Sequence, residues 1–143
     1  MKKTLLIFVF LITTFSFSQE NIILSQQNAN EKGITPVWPK CDRSRQTPIK
    51  CFDNNLRNHV VRNFRYPQLA EKDGLSGTIT VDFIINKKGK VEVIEVNDGH
   101  RYLQREAVRI IRTIPKMTPA KWGNKPIAVA YKVPITFIKP KQK

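Results

Sequence analysis

The sequence predicts an α+β domain, a three-stranded antiparallel β-sheet in strand order 2-1-3 packed by helices. Three observations carry this. Apolar residues recur at helical spacing over 48–63 and again from Leu103 to Ile114. Alternation with a period of two sets in at Thr78 and again at Pro126. Between the first alternating run and its return strand, Asn86-Lys87-Lys88-Gly89 reads as a hairpin turn. A hairpin, a long helix and a late strand, each with one apolar face, are satisfied by a sheet covered by helices. The helical crossover then returns the third strand beside the first.

In chain order, residues 1–18 read as a secretory signal peptide. Lys2 and Lys3 form a positive start, Leu5–Ile12 is an uninterrupted apolar run, and Ser16 and Ser18 stand where a signal peptidase reads small residues. Cleavage then falls between Ser18 and Gln19. The rival reading is a retained membrane anchor, but Leu5–Phe17 as a helix covers only about 20 Å of a roughly 30 Å hydrocarbon core. Residues 19–35 read as a disordered polar leader, rich in Asn and Gln and interrupted by Ile22-Ile23-Leu24.

Residues 36–63 read as a cysteine-bearing arm, with Trp38 lying on the domain, followed by a first helix. Thr47 caps that helix and Pro48 opens it, while Phe52, Leu56, Val60 and Phe64 share its inner face with His59 beside the stripe. Cys41 and Cys51 are the only cysteines. In an exported chain a lone pair is most simply a disulfide, worth about 2–3 kcal/mol. The alternative, a redox or metal pair, has neither the redox spacing nor histidines placed to complete a set.

Residues 64–138 form the main domain. Pro67 opens a short helix to about Lys72, and Gly74 and Gly77 mark the turn out of it. Ile79, Val81, Phe83 and Ile85 then share one strand face. The return strand changes parity between Val93 and Ile94, which predicts a β-bulge. Leu103, Ala107, Ile110, Ile111 and Ile114 line one side of the next helix, Arg101, Arg105, Arg109 and Arg112 face water, and Pro115 ends it. Trp122 falls in a loop, with Gly123-Asn124 as a turn. The final strand, Pro126 to about Ile138, turns Ile127, Val129, Tyr131 and Val133 to one face. Pro134 lacks a backbone donor, so one flank of this strand is expected to be unpaired within the domain. Residues 139–143 are a basic tail.

The 25 Lys and Arg against 11 Asp and Glu give a net charge of +14. Loss of Lys2 and Lys3 with the signal leaves +12. In the cytosol that balance suggests nucleic acid. Here the basic residues are spread over helix, hairpin and tail, and export removes the substrate, so no nucleic-acid partner is expected. No Gly-rich phosphate loop and no metal-ligand spacing appears, and no cofactor is expected. Nor is an enzyme. Asp82, Glu92 and Glu95 lie on hairpin strands among lysines as cross-strand pairs, and neither His59 nor His100 has a Ser or Cys partner in a nucleophile motif. His100, at a helix start, reads as a cap or surface residue.

Tyr66-Pro67 with Ala70, Gly74 and Gly77, the Thr78–Ile85 strand before Lys88-Gly89, Leu103 with Glu106-Ala107-Val108, Pro115 and Pro119, then Gly123, Lys125-Pro126 and Pro134-Ile135-Thr136-Phe137 follow one another at family-like gaps. Segment 64–138 thereby resembles the C-terminal domain of TonB-type energy transducers. Trp38-Pro39-x-Cys41 and Cys51-Phe52 resemble the version with an added cysteine-bearing arm seen in Bacteroidetes-type bacteria. The resemblance implies a periplasmic domain that grips the TonB box, an extended segment of TonB-dependent outer-membrane receptors, in energy-dependent uptake of nutrients such as iron-siderophores. It places that segment as an added strand along Ile127, Ala128, Val129, Ala130, Tyr131, Lys132 and Val133, held mostly through main-chain atoms.

An exposed edge offers backbone donors and acceptors that an extended peptide satisfies with loose sequence demands. The same edge could pair with a second copy, giving a homodimer. The family's transducers also have an inner-membrane helix driven by motor proteins and a proline-rich span. Here the apolar segment is short and cleavable in appearance, and 19–35 lacks proline. Motor proteins are therefore expected as partners only if the N-terminus is retained. The alternative reading is an envelope adaptor that uses the same fold on peptidoglycan or a protein partner, without energy transduction.

Overall fold

A mixed sheet of five strands, rather than the expected three-stranded antiparallel one, carries the domain among the described residues. The computed structural model describes residues 23–42 and 45–139. The expected signal peptide, its Ser18–Gln19 cleavage site and all of the basic tail except Lys139 lie outside them. In chain order the elements are β1 (Ile23–Ser25), α1 (Gln26–Glu31), α2 (Pro48–Asn63), α3 (Gln68–Lys72), β2 (Gly77–Ile85), β3 (Val91–Asn97), α4 (Arg101–Arg112), β4 (Ala120–Trp122) and β5 (Lys125–Phe137). The three expected strands lie in the expected order, β3-β2-β5.

The two extra strands flank β5. β4 forms a tight hairpin with it across Gly123-Asn124, with Lys121 opposite Pro126 and Ala120 opposite Ile127. Gly123 supplies the positive φ of +60° that this turn requires. β1 comes from the leader expected to be disordered. Its short apolar run finds a partner at the far end of the chain, pairing parallel with Ala128–Ala130. Ser25 then accepts the Asn28 amide at 3.4 Å and starts α1, whose Ala29 is fully buried in the core. Order in this stretch thus comes from tertiary partners, which local composition does not reveal.

Period-two alternation places Ile79, Val81, Phe83 and Ile85 of β2 and Ile127, Val129, Tyr131, Ile135 and Phe137 of β5 on one buried face. α4 covers that face with Leu103, Ala107 and Ile111, and α2 with Phe52 and Leu56. The opposite face is half-open and held by cross-strand pairs. Thr78 and Thr136 are in register and their hydroxyls hydrogen-bond at 2.9 Å, while Asp82 and Lys132 are in register and 3.3 Å apart. The β-bulge falls where the parity switch places it: Asp82 opposes Glu95 and Phe83 opposes Val93, leaving Ile94 as the extra residue.

Two local devices fix the helices. Thr47 Oγ1 accepts the Lys50 amide at 3.3 Å, and Pro48 opens α2 in the first turn, where helix amides lack carbonyl partners anyway. His100 Nδ1 accepts the Tyr102 amide at 3.3 Å as the N-cap of α4. One arginine departs from expectation. Arg109 does not simply face water: its Nε reaches Glu106 Oε2 at 2.8 Å and its Nη2 donates to the Asn63 carbonyl at 2.5 Å, tying α4 to the end of α2. His59, one turn earlier on α2, ties the same helices beside it, with Nε2 at 3.0 Å from the Ile110 carbonyl.

Candidate peptide-binding edge

β5 is the longest strand, thirteen residues, and its length exceeds what its neighbours cover. Along one flank it pairs with β2 from Val129 to Phe137. β4 takes Lys125–Ile127 and β1 takes Ala128–Ala130. From Tyr131 to Phe137 the flank away from β2 has no backbone ladder partner among the described residues. The expectation of a fully open edge from Ile127 to Val133 is therefore corrected. The chain's own backbone occupies the first part, and the opening starts at Tyr131.

The expected site residues fall into three groups. Ile127 is buried and opposes Ala120 in the β4 hairpin. Ala128, Val129 and Ala130 lie under β1. Tyr131, Lys132 and Val133 stand beyond β1, with Lys132 on the open face opposite Asp82 and Val133 half-buried. Beside Val133 and Pro134 runs a cleft of about 430 Å³, walled by Asp53, Leu56, Arg57, Val60 and Val61 of α2 and lined also by Gln26. Leu56 and Val60 give this wall an apolar strip, and Val61 is 70% exposed. On the sheet's open face, a broader groove of about 760 Å³ lies beside β1. Its apolar floor includes Ile23, Ile84, Ile94 and Ala130.

The electrostatics follow from packing. Tyr131 is stacked between Phe52 and Phe83, at 4.8 and 5.5 Å between ring centroids. Its hydroxyl is buried with no hydrogen-bond partner among the described residues. Burial pushes its ionisation up, and the Asp53 carboxylate adds to the shift. Burial also raises Asp53 itself, against the pull of Arg57. The cleft rim thus carries one carboxylate and one guanidinium within a largely apolar wall.

The arm keeps α2 in place. The Cys41–Cys51 disulfide joins it to the first turn of the helix, with Cα atoms 6.2 Å apart. Trp38 packs edge-on to Phe52 at 6.0 Å. Val37 and Thr118 exchange backbone hydrogen bonds of 2.9 and 3.0 Å, and Lys32 lies 4.0 Å over the Trp122 ring. The α2 wall escapes a sequence reading because Asp53, Arg57 and Val61 occupy helix positions that look merely solvated. β1 leaves one signal, the Ile22-Ile23-Leu24 run within a polar leader, and that run names no partner. Among the described residues, no group of three or more His, Cys, Asp or Glu could hold a metal ion, and no helix is long and apolar enough to cross a membrane.

An α+β domain with a long final strand, part of its edge paired and part bordering a cleft, presents backbone donors and acceptors of the kind an extended chain can pair with. A scan against family models matches residues 62–138, more than half of the chain, to the Gram-negative bacterial TonB protein C-terminal family. The chain belongs to that family, a non-catalytic, transport-associated family of the Gram-negative envelope. No curated protein matches the sequence. Two solution structures of the Helicobacter pylori TonB C-terminal domain are similar to it. The form spanning residues 179–285 of that protein is 22% identical, with 73% of this chain and 89% of that one covered and a TM-score of 0.46. The form spanning residues 194–285 is 25% identical, with 64% and 97% covered and a TM-score of 0.44.

Proposed function

We propose that this domain binds the TonB box of outer-membrane receptors as a strand added along β5, in energy-dependent nutrient transport. The observation that carries the reading is the flank from Tyr131 to Phe137, which lacks a ladder partner among the described residues and borders the α2 cleft. An extended guest would satisfy the edge backbone there and rest its side chains against Leu56, Val60 and Val61. Main-chain pairing gives affinity with loose sequence demands, which suits a domain serving several receptors. The positive charge of the chain would speed encounter with acidic receptor segments. Side-by-side pairing also loads its hydrogen bonds together when pulled along the strand, as transduction of force requires.

The reading is tested by amide-resolved NMR titration of the full chain with a receptor-derived TonB-box peptide. Shifts gathered on residues 128–137 and on the α2 wall from Asp53 to Val61 are expected. The adaptor reading has its own surface, the groove along α4 where Arg101, Arg105 and Arg112 flank Val96 and Val108. Shifts confined to that groove, evoked by peptidoglycan fragments and not by the peptide, would replace the strand-addition reading with it.

A further inference from the structure

We propose that Ile23–Ser25 is a resident guest: an internal strand that holds the receptor edge of β5 until an incoming segment displaces it, and that shows what such a segment must look like. The inference rests on the strand-addition reading of β5.

The pairing is specific in direction and register. β1 runs parallel to β5, with Ile23 opposite Ala128, Leu24 opposite Val129 and Ser25 opposite Ala130. Residues directly opposite share a face, so Leu24 lies on the side of the fully buried Val129, half-buried against the core. Ile23 and Ser25 lie on the other side, above two alanines, and both are exposed. The template is therefore an extended segment, parallel to β5, with one apolar side chain in the place of Leu24. Its neighbours sit over alanines, whose small side chains leave room for almost any residue.

The hold is also built to yield. Among the described residues three residue pairs secure β1, and Ser25 turns the chain away into α1. Beyond Ala130 the edge continues, without a ladder partner among the described residues, past Tyr131 into the cleft of Val133, Pro134 and α2. A longer guest can pair there first and then extend over Ala128–Ala130 as β1 leaves. Occupation by the internal strand lowers the apparent affinity for any guest by the fraction of molecules in which the edge is open.

The test uses the full chain with Leu24→Pro, which obstructs pairing, and Leu24→Asp, which places a charge on the half-buried rim without altering backbone freedom. Amide hydrogen exchange at Ala128–Ala130 is expected to quicken in both variants, while β2 amides keep their protection. A synthetic peptide of residues 21–26, Asn-Ile-Ile-Leu-Ser-Gln, added in trans, is expected to bind the variants about tenfold more tightly than the unaltered chain. Unchanged exchange, or equal affinity of this peptide for both forms, overturns the proposal. If the peptide binds the variants and a receptor segment does not, the resident strand stands and the receptor assignment alone fails.

Discussion

Tyr131 puts a hydroxyl into the aromatic stack at the centre of the core, where nothing among the described residues accepts or donates to it. Such a group costs desolvation without a compensating bond, so Tyr131→Phe is expected to leave stability unchanged or raise it by up to about 1 kcal/mol in urea denaturation. The pH dependence has a definite sign. Burial raises the ionisation of Tyr131 above that of an unfolded tyrosine, near 10. Its contribution is therefore intact below about pH 10 and is lost as pH rises from there toward the folded value; Tyr131→Phe removes that part of the alkaline decline. Gly89 shows the opposite case, a residue with no room for change. Its φ is +76°, and a Cβ there would stand 1.7 Å from the Met117 carbonyl oxygen. Gly89→Ala is expected to cost at least about 2 kcal/mol, measured in the same denaturation experiment.

Among the elements, α2 has two duties: its inner face closes the core, and its outer face walls the cleft beside β5. The disulfide links it to the arm that carries Trp38. Replacing Cys41 and Cys51 together with serine is expected to lower stability by about 2–3 kcal/mol, and added reductant should lower the melting temperature of the unaltered chain while leaving the double variant unmoved. Elements defined by local signals are legible in the sequence: α2 by its cap and proline, α4 by its apolar stripe, the bulge by the Val93–Ile94 parity switch, and β5 by alternation. What escapes depends on partners distant in sequence. β1, three residues among those described, acquires its structure from pairing with Ala128–Ala130. Arg109 looks solvated in a helical pattern and is drawn inward by Glu106 and the Asn63 carbonyl. The edge of β5 is legible through Pro134, but which part of it stays open is settled by those same distant partners.

For the molecule as a whole, charge and site reinforce each other. The chain carries +14, and the cleft rim carries Arg57 beside the single carboxylate of Asp53. Binding of an acidic extended peptide is therefore expected to weaken as salt is raised from 50 to 500 mM, mainly through slower association. Arg57→Glu should lower the association rate several-fold in surface-plasmon or stopped-flow measurements and leave the fold intact, since this side chain lies at the surface. Salt-insensitive association would argue that steering plays no part.

The arm clamp has a mechanical consequence. Tension applied upstream of Ile23 reaches the domain in a fixed succession: the three residue pairs of β1, then the short helix α1, then the Val37–Thr118 bridge, and last the covalent link at Cys41. The early stages surrender slack at low load. The last is a hard stop that passes the remaining load directly into α2, so the segment 23–31 would act as a fuse that opens the β5 edge before the body of the domain is strained.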